Sequence, residues 1–120
     1  MQIIELFKGA TILAGGNLAS QPIDLSHVSI GAFSLYYEMN GAGTGTLSYQ
    51  VSWDGAKFIS PTGTPAIATG VTNVSGPVSN GIDAIGGLSI SPMLAPWIKF
   101  IWTETGGVSP INPVTKLTMT

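Results

Sequence analysis

The residues able to do acid–base, nucleophilic or metal chemistry are few and dispersed in this 120-residue chain, which holds one histidine and no cysteine. His27 lies beside Ser26 and Ser29. A lone imidazole in such a setting reads as a solvated loop residue, and a Ser-His-Asp triad is defined by geometry rather than by residue type. The acids Glu5, Asp24, Glu38, Asp54, Asp83 and Glu104 lack the spacing that presents two carboxylates to a metal or a glycosidic bond. Asp54, within Ser52-Trp53-Asp54-Gly55, is expected to cap its own turn rather than to hold a ligand. The glycine-rich run Gly41 to Gly45 lacks the lysine and the following helix of a phosphate cradle. These positions predict no catalytic residue, no metal ligand and no cofactor, and a chain that is not an enzyme.

The aromatic residues Trp53, Trp97, Trp102, Tyr36, Tyr37 and Tyr49 raise a different chemistry, the stacking of exposed rings on sugar faces. Most of them occupy alternating positions of strand-like runs, where core packing is the default. Tyr36 points opposite to Tyr37 and is the better candidate for an exposed ring, either as a sugar platform or as an anchor in a protein contact. Weak glycan binding is thus a second expectation beside protein association.

Charge is the most informative feature of the composition. Charged residues make up 8% of the chain, against about a quarter in an ordinary soluble domain. Four lysines, no arginine and six acids leave a net charge of −2. The outer surface must then be built from Ser, Thr, Gly, Asn and apolar residues, which another protein can cover without stripping water from ions. The alternative is a monomer kept in solution by hydroxyls and amides. Lys8, Lys57, Lys99 and Lys116 are isolated, so nucleic acid is not an expected partner. The longest uncharged stretch, Phe58 to Ile82, contains Pro61, Pro65 and Pro77 and cannot form a membrane helix. The apolar patch Thr11 to Ala14 is too short and wrongly flanked for a signal peptide, which predicts synthesis in the cytoplasm.

The elements that would carry these residues are strands. Period-two alternation places Phe33, Leu35, Tyr37 and Met39 on one face, and Leu47, Tyr49, Val51 and Trp53 on another. Glycines at 41, 43 and 45 and the Asp54-Gly55 pair predict two reversals, so residues 32–60 read as a three-stranded meander. In Trp97 to Thr103 the residues Ile98, Phe100 and Trp102 alternate with Trp97, Lys99, Ile101 and Thr103. Both faces are largely apolar, so this strand is expected to be covered on both sides. It is expected to pair with 114–119 as a hairpin. Gln2 to Phe7, Ile23 to Leu25 and Val28 to Ile30 add further strands, and 61–92 reads as long connections with short apolar pieces at 66–68 and 88–90. The total, about 7–8 short strands with little or no helix, predicts an all-β, two-sheet antiparallel sandwich of jelly-roll type. Residues 1–20 read as an N-terminal strand and arm docking on a neighbouring subunit, and 21–120 as the single sandwich domain.

Two segments carry a resemblance. Gly41-Ala42-Gly43-Thr44-Gly45-Thr46-Leu47-Ser48-Tyr49-Gln50-Val51-Ser52-Trp53-Asp54-Gly55 and Leu94-Ala95-Pro96-Trp97-Ile98-Lys99-Phe100-Ile101-Trp102-Thr103-Glu104-Thr105 resemble small β-sandwich structural proteins of tailed bacteriophages and prophages. There a glycine-threonine hairpin ending in Asp-Gly is followed by a Leu-Ala-Pro-Trp strand, a Thr-Glu-Thr-Gly turn and a closing strand. The likeness covers residues 32 to 120. It implies a virion-associated protein present in many copies, such as a capsid decoration protein, a head spike or fibre, or a tail component. It also implies a homo-oligomer, for instance a trimer, in contact with major capsid or tail proteins, with the virion as its location. No catalytic residue is implied. The interface candidates are Tyr36, Trp97, Lys99 and Ile101.

Overall fold

The longest alternating runs, 33–39, 47–51 and 98–102, all become strands, whereas Val28 and Ser29, expected in a strand, are not in one. The computed structural model describes residues 2–29, 31–62, 66–72, 85–90 and 92–120. Among them nine strands form: β1 (Gln2–Phe7), β2 (Asn17–Ala19), β3 (Ile23–Asp24), β4 (Phe33–Asn40), β5 (Thr44–Ser52), β6 (Ala68–Thr72), β7 (Ile85–Ile90), β8 (Trp97–Glu104) and β9 (Asn112–Met119). One sheet has the order β1-β9-β4-β7, the other β2-β8-β5-β6, with β3 also pairing β8. All pairings are antiparallel. Because β2 meets residues 101–103 of β8 and β3 meets 97–98, the two are halves of one interrupted strand. Counted so, the eight strands have jelly-roll order, as expected.

The interruption has a chemical cause. The Ser20 amide donates to the Phe100 carbonyl at 2.7 Å, while the Phe100 amide donates to the Ser20 hydroxyl at 2.9 Å. A side-chain oxygen thus replaces the main-chain acceptor, and Pro22, two residues on, has no N–H to continue the ladder.

Three expectations are corrected. Segment 1–20 does not stand apart as an arm: β1 pairs with β9, and β2 with β8, of the same chain. Residues 32–60 do not form a meander, because β4 and β5 belong to different sheets. Of its expected third strand there remains a single bridge between Val51 and Ile59. Likewise β8 and β9 lie in opposite sheets rather than in a hairpin. Glycines supply close approach here rather than a tight reversal. A methyl group on Gly43 would run into the carbonyl oxygen of Val108 and come within 2.8 Å of Ile111 Cγ2. The residue is glycine because a second crossing lies against it.

The core fills the space between the sheets. Ile98, Phe100 and Trp102 of β8 are fully buried and share the interior with Leu35, Tyr37 and Met39 of β4 and Leu117 and Met119 of β9. Trp102 Nε1–H donates to Thr115 Oγ1 at 2.8 Å, a bond from one sheet to the other. Its ring meets Tyr37 edge-on, with centroids 6.0 Å apart and planes at 67°.

At one end of the sandwich three crossings lie side by side: residues 8–16 between β1 and β2, 41–43 between β4 and β5, and 105–111 between β8 and β9. Ile12 and Ile111 exchange both main-chain bonds at 2.9 Å, and the Gly43 amide donates to the Pro110 carbonyl at 3.0 Å. Glu104, the last residue of β8 and only 1% exposed, joins all three. Its Oε1 accepts from the amides of Gly15 (3.1 Å) and Gly107 (2.8 Å), and its Oε2 from those of Thr44 (3.0 Å) and Gly106 (2.8 Å). Gly15 lies in the first crossing, Gly106 and Gly107 lie in the third, and Thr44 opens β5 directly after the second; no cation takes part. Donation by the Thr44 amide foremost, and by those of Gly15, Gly106 and Gly107, holds the carboxyl at about 2 against an ordinary 4.5 despite the opposing effect of burial.

Two outcomes follow from this geometry. A carboxylate with a lowered folded-state pKa contributes stability above its ordinary pKa and loses it as pH falls toward the folded value. The melting temperature of the native chain should therefore drop between about pH 4.5 and 2. Glu104→Gln should melt lower at pH 7 and converge on the native chain near pH 2, which melting curves across that range would check. Thr115→Val keeps the shape but orphans the Trp102 N–H, and should cost about 1–3 kcal/mol in denaturant unfolding.

Candidate interaction surfaces

The four interface candidates divide between two faces. Trp97, Lys99 and Ile101 alternate with buried neighbours on β8 and point outward from the five-stranded sheet, each half-buried. Ile101 lies between Ala19 of β2 and Ser48 of β5, and Lys99 opposite Gln50. Part of the cover expected over this strand comes from the chain itself. Lys99 Nζ sits 4.5 Å from the centre of the Phe58 ring. The Trp97 indole lies against Gly55, where a Cβ would be 2.9 Å from Cε2. Glycine at 55, with φ of 77°, both turns the chain and makes room for that ring. What stays open is a surface of hydroxyls, amides and Ile101 in which Lys99 is the one outward-facing charged side chain of β2, β5, β6 and β8, Glu104 being buried on the inner face, with Asp24 of β3 at the rim.

Tyr36 belongs to the other sheet. It is 37% exposed, as its alternation with Tyr37 predicts. It stands in a row with Lys116 and Glu5, and Lys116 Nζ is 5.9 Å from its ring centre. Partial desolvation, then the charge and hydrogen bonding of Glu38, raise its hydroxyl above the ordinary pKa. Glu5, Glu38 and Lys116 make this the charged face. The structure therefore does not bring Tyr36 together with the other three candidates.

At the end opposite Glu104, the 52–59 loop is tied down by its own side chains. Asp54 Oδ1 accepts from the Ser52 hydroxyl and from the amides of Ala56 and Lys57, each at 2.9 Å. The Ser52 hydroxyl in turn accepts from the amides of Asp54 (3.3 Å) and Gly55 (2.9 Å). Asp54 thus caps its turn as expected, and the two amides foremost, with the Ser52 hydroxyl, lower its pKa. Trp53, which alternation placed with Tyr49 and Val51, instead projects at the tip and is 59% exposed, because the ladder ends at Ser52 and its side chain lies beyond the sheet. With Asp54, Lys57 and Ile59 it lines a recess of about 250 Å³. A second recess of about 300 Å³ is lined by Leu25, Val28, Leu94, Ala95 and Pro96.

His27 is exposed. The Ser26 hydroxyl donates to Asp24 Oδ1 at 2.5 Å, and the Ser26 amide to the same atom at 2.9 Å, so that hydroxyl is not presented to the imidazole. These two bonds lower the pKa of Asp24. Among the described residues no three His, Asp or Glu side chains converge to hold a metal ion, and the edge-on ring pair, Tyr37 with Trp102, is in the core. The uncharged stretch singled out at 58–82 lies outside the described residues at 63–65 and 73–82.

One residue escaped sequence reasoning, and another, Trp53, was named as an aromatic candidate but placed on the wrong face. Glu104 looked like one more scattered acid because its partners are main-chain amides, which carry no sequence signature; the glycines at 106 and 107 beside it are the one signal present. Trp53 was assigned inward by alternation continued one residue past the strand. Compared with known protein families, curated proteins and solved structures, the chain shows no significant match.

Proposed function

We propose that this chain is a non-enzymatic structural protein of a bacteriophage virion, a multi-copy capsid decoration or head-associated protein that works by packing against copies of itself and against the particle lattice. The observation that carries this reading is the outer face of the five-stranded sheet. Its central strand presents Ile101 among small and hydroxylated neighbours, and its one cation, Lys99, is already placed over the chain's own Phe58. Covering such a face removes few ions from water. Four strands about 4.8 Å apart and about 3.4 Å per residue give a footprint on the order of 500 Å². Doubled across a contact, that reaches the lower range of specific interfaces, about 1,000–1,200 Å². The resemblance of 41–55 and 94–105 to tailed-phage sandwich proteins supports the same assignment and adds the virion as its setting.

Light scattering of the purified chain at micromolar concentration should give a multiple of 12.4 kDa, and the chain should co-sediment with virion particles. Ile101→Lys places an ion at the centre of the face. It should weaken self-association at least tenfold, about 1.4 kcal/mol, while leaving the melting temperature within a few degrees because the site is at the surface. A strict monomer that binds no particle would overturn the assignment.

A further inference from the structure

The recess at the tip of the 52–59 loop is not used by the face just described. Its main wall is Trp53, a large apolar ring left 59% exposed on a turn that five hydrogen bonds hold in place. An exposed ring on a mobile loop loses freedom when it binds, and one on a locked turn has little left to lose. Asp54 and Lys57, both exposed, line the same recess. The three of the turn's hydrogen bonds that Asp54 accepts all fall on Oδ1, which leaves Oδ2 to accept from a ligand. Held low in pKa by those bonds, the carboxyl is ionised at neutral pH.

We propose that the Trp53 recess is a saccharide site, in which the apolar face of a sugar ring stacks on the indole, its hydroxyls donate to Asp54 Oδ2, and Lys57 Nζ donates to a ring or hydroxyl oxygen. A pyranose has an apolar C–H face and a rim of hydroxyls, so one ring flanked by a fixed acceptor and a donor matches it. The volume, about 250 Å³, suits one sugar unit, below the roughly 300–1,000 Å³ of sites for larger ligands. A protein partner is the poorer fit. It would have to bury both charges flanking the ring, which costs free energy unless each is paired, whereas sugar hydroxyls bond to them directly. The site is open, with a single ring as its platform, so affinity for one unit falls in the millimolar range, on the order of −4 kcal/mol. Many copies on one particle would raise the effective affinity by about 10²–10⁴.

The test uses the full chain, labelled with ¹⁵N, and its three indole N–H signals, that of Trp53 being assigned with Trp53→Phe. Methyl glycosides of glucose, galactose, mannose, rhamnose and N-acetylglucosamine are titrated to about 50 mM, and the chain is applied to a printed array of bacterial surface glycans. The expected result is a saturable shift of the Trp53 signal with at least one glycoside, with Trp97 and Trp102 unmoved. Array retention should fall at least tenfold in Trp53→Ala and in Lys57→Met. Lys57→Met retains the main-chain amide that donates to Asp54 and so leaves the turn closed, and melting curves should show both variants folded. No shift with any glycoside together with a blank array overturns the proposal. So does equal retention by folded Trp53→Ala, or a Trp53 signal that moves only with protein concentration, which would mark a contact between copies.

Discussion

The Glu104 carboxylate holds together the end of the sandwich through which the chain passes between its sheets. Four amides, from the first and third crossings and from Thr44 just after the second, converge on two oxygens, and the first and second crossings are each bonded to the third through the main chain. A buried anion is expensive unless its lone pairs are satisfied. Here main-chain dipoles satisfy them, with no partner cation to be positioned at the same time. The register between β5 and β8 follows, because Thr44, whose amide donates to Glu104, adjoins the Gly45–Glu104 pair that begins the ladder.

From that end the two sheets diverge in character although they share a core. β8 and β9 are consecutive in sequence and lie in opposite sheets, so the Trp102 to Thr115 bond and the Tyr37 contact fasten the layers from inside. Outside, ions gather on the four-stranded sheet around Tyr36, while the five-stranded sheet shows hydroxyls and Ile101. The low charge of the chain is therefore unevenly spread, and that unevenness gives the molecule a charged side and a nearly uncharged one.

Strand positions were legible because alternation is a local property. Phe33 to Met39, Leu47 to Val51 and Ile98 to Trp102 all bury the face that the pattern assigned. Strand pairing was not, since a glycine-rich link between two strands reads alike whether it folds back within a sheet or crosses to the other. The space forbidden at Gly43 is set by Val108 and Ile111, more than sixty residues away. The same limit hid Glu104, whose ligands are amides of residues 15, 44, 106 and 107. Of the surface, Tyr36, Lys99 and Ile101 were found as outward-facing positions, but that they lie on two faces depends on pairing and could not be read from spacing.

The break at Ser20 bears on how copies of such a domain can meet. Open sheet edges invite strand-to-strand addition, which has no natural stopping point and leads to fibres. Here one edge is divided into pieces of three and two residues, with a hydroxyl where a carbonyl would be and a proline two positions later. Neither piece offers a continuous template to an incoming strand. Strand addition along that edge is disfavoured, and in the assembly proposed above contact through the broad face of the sheet avoids it.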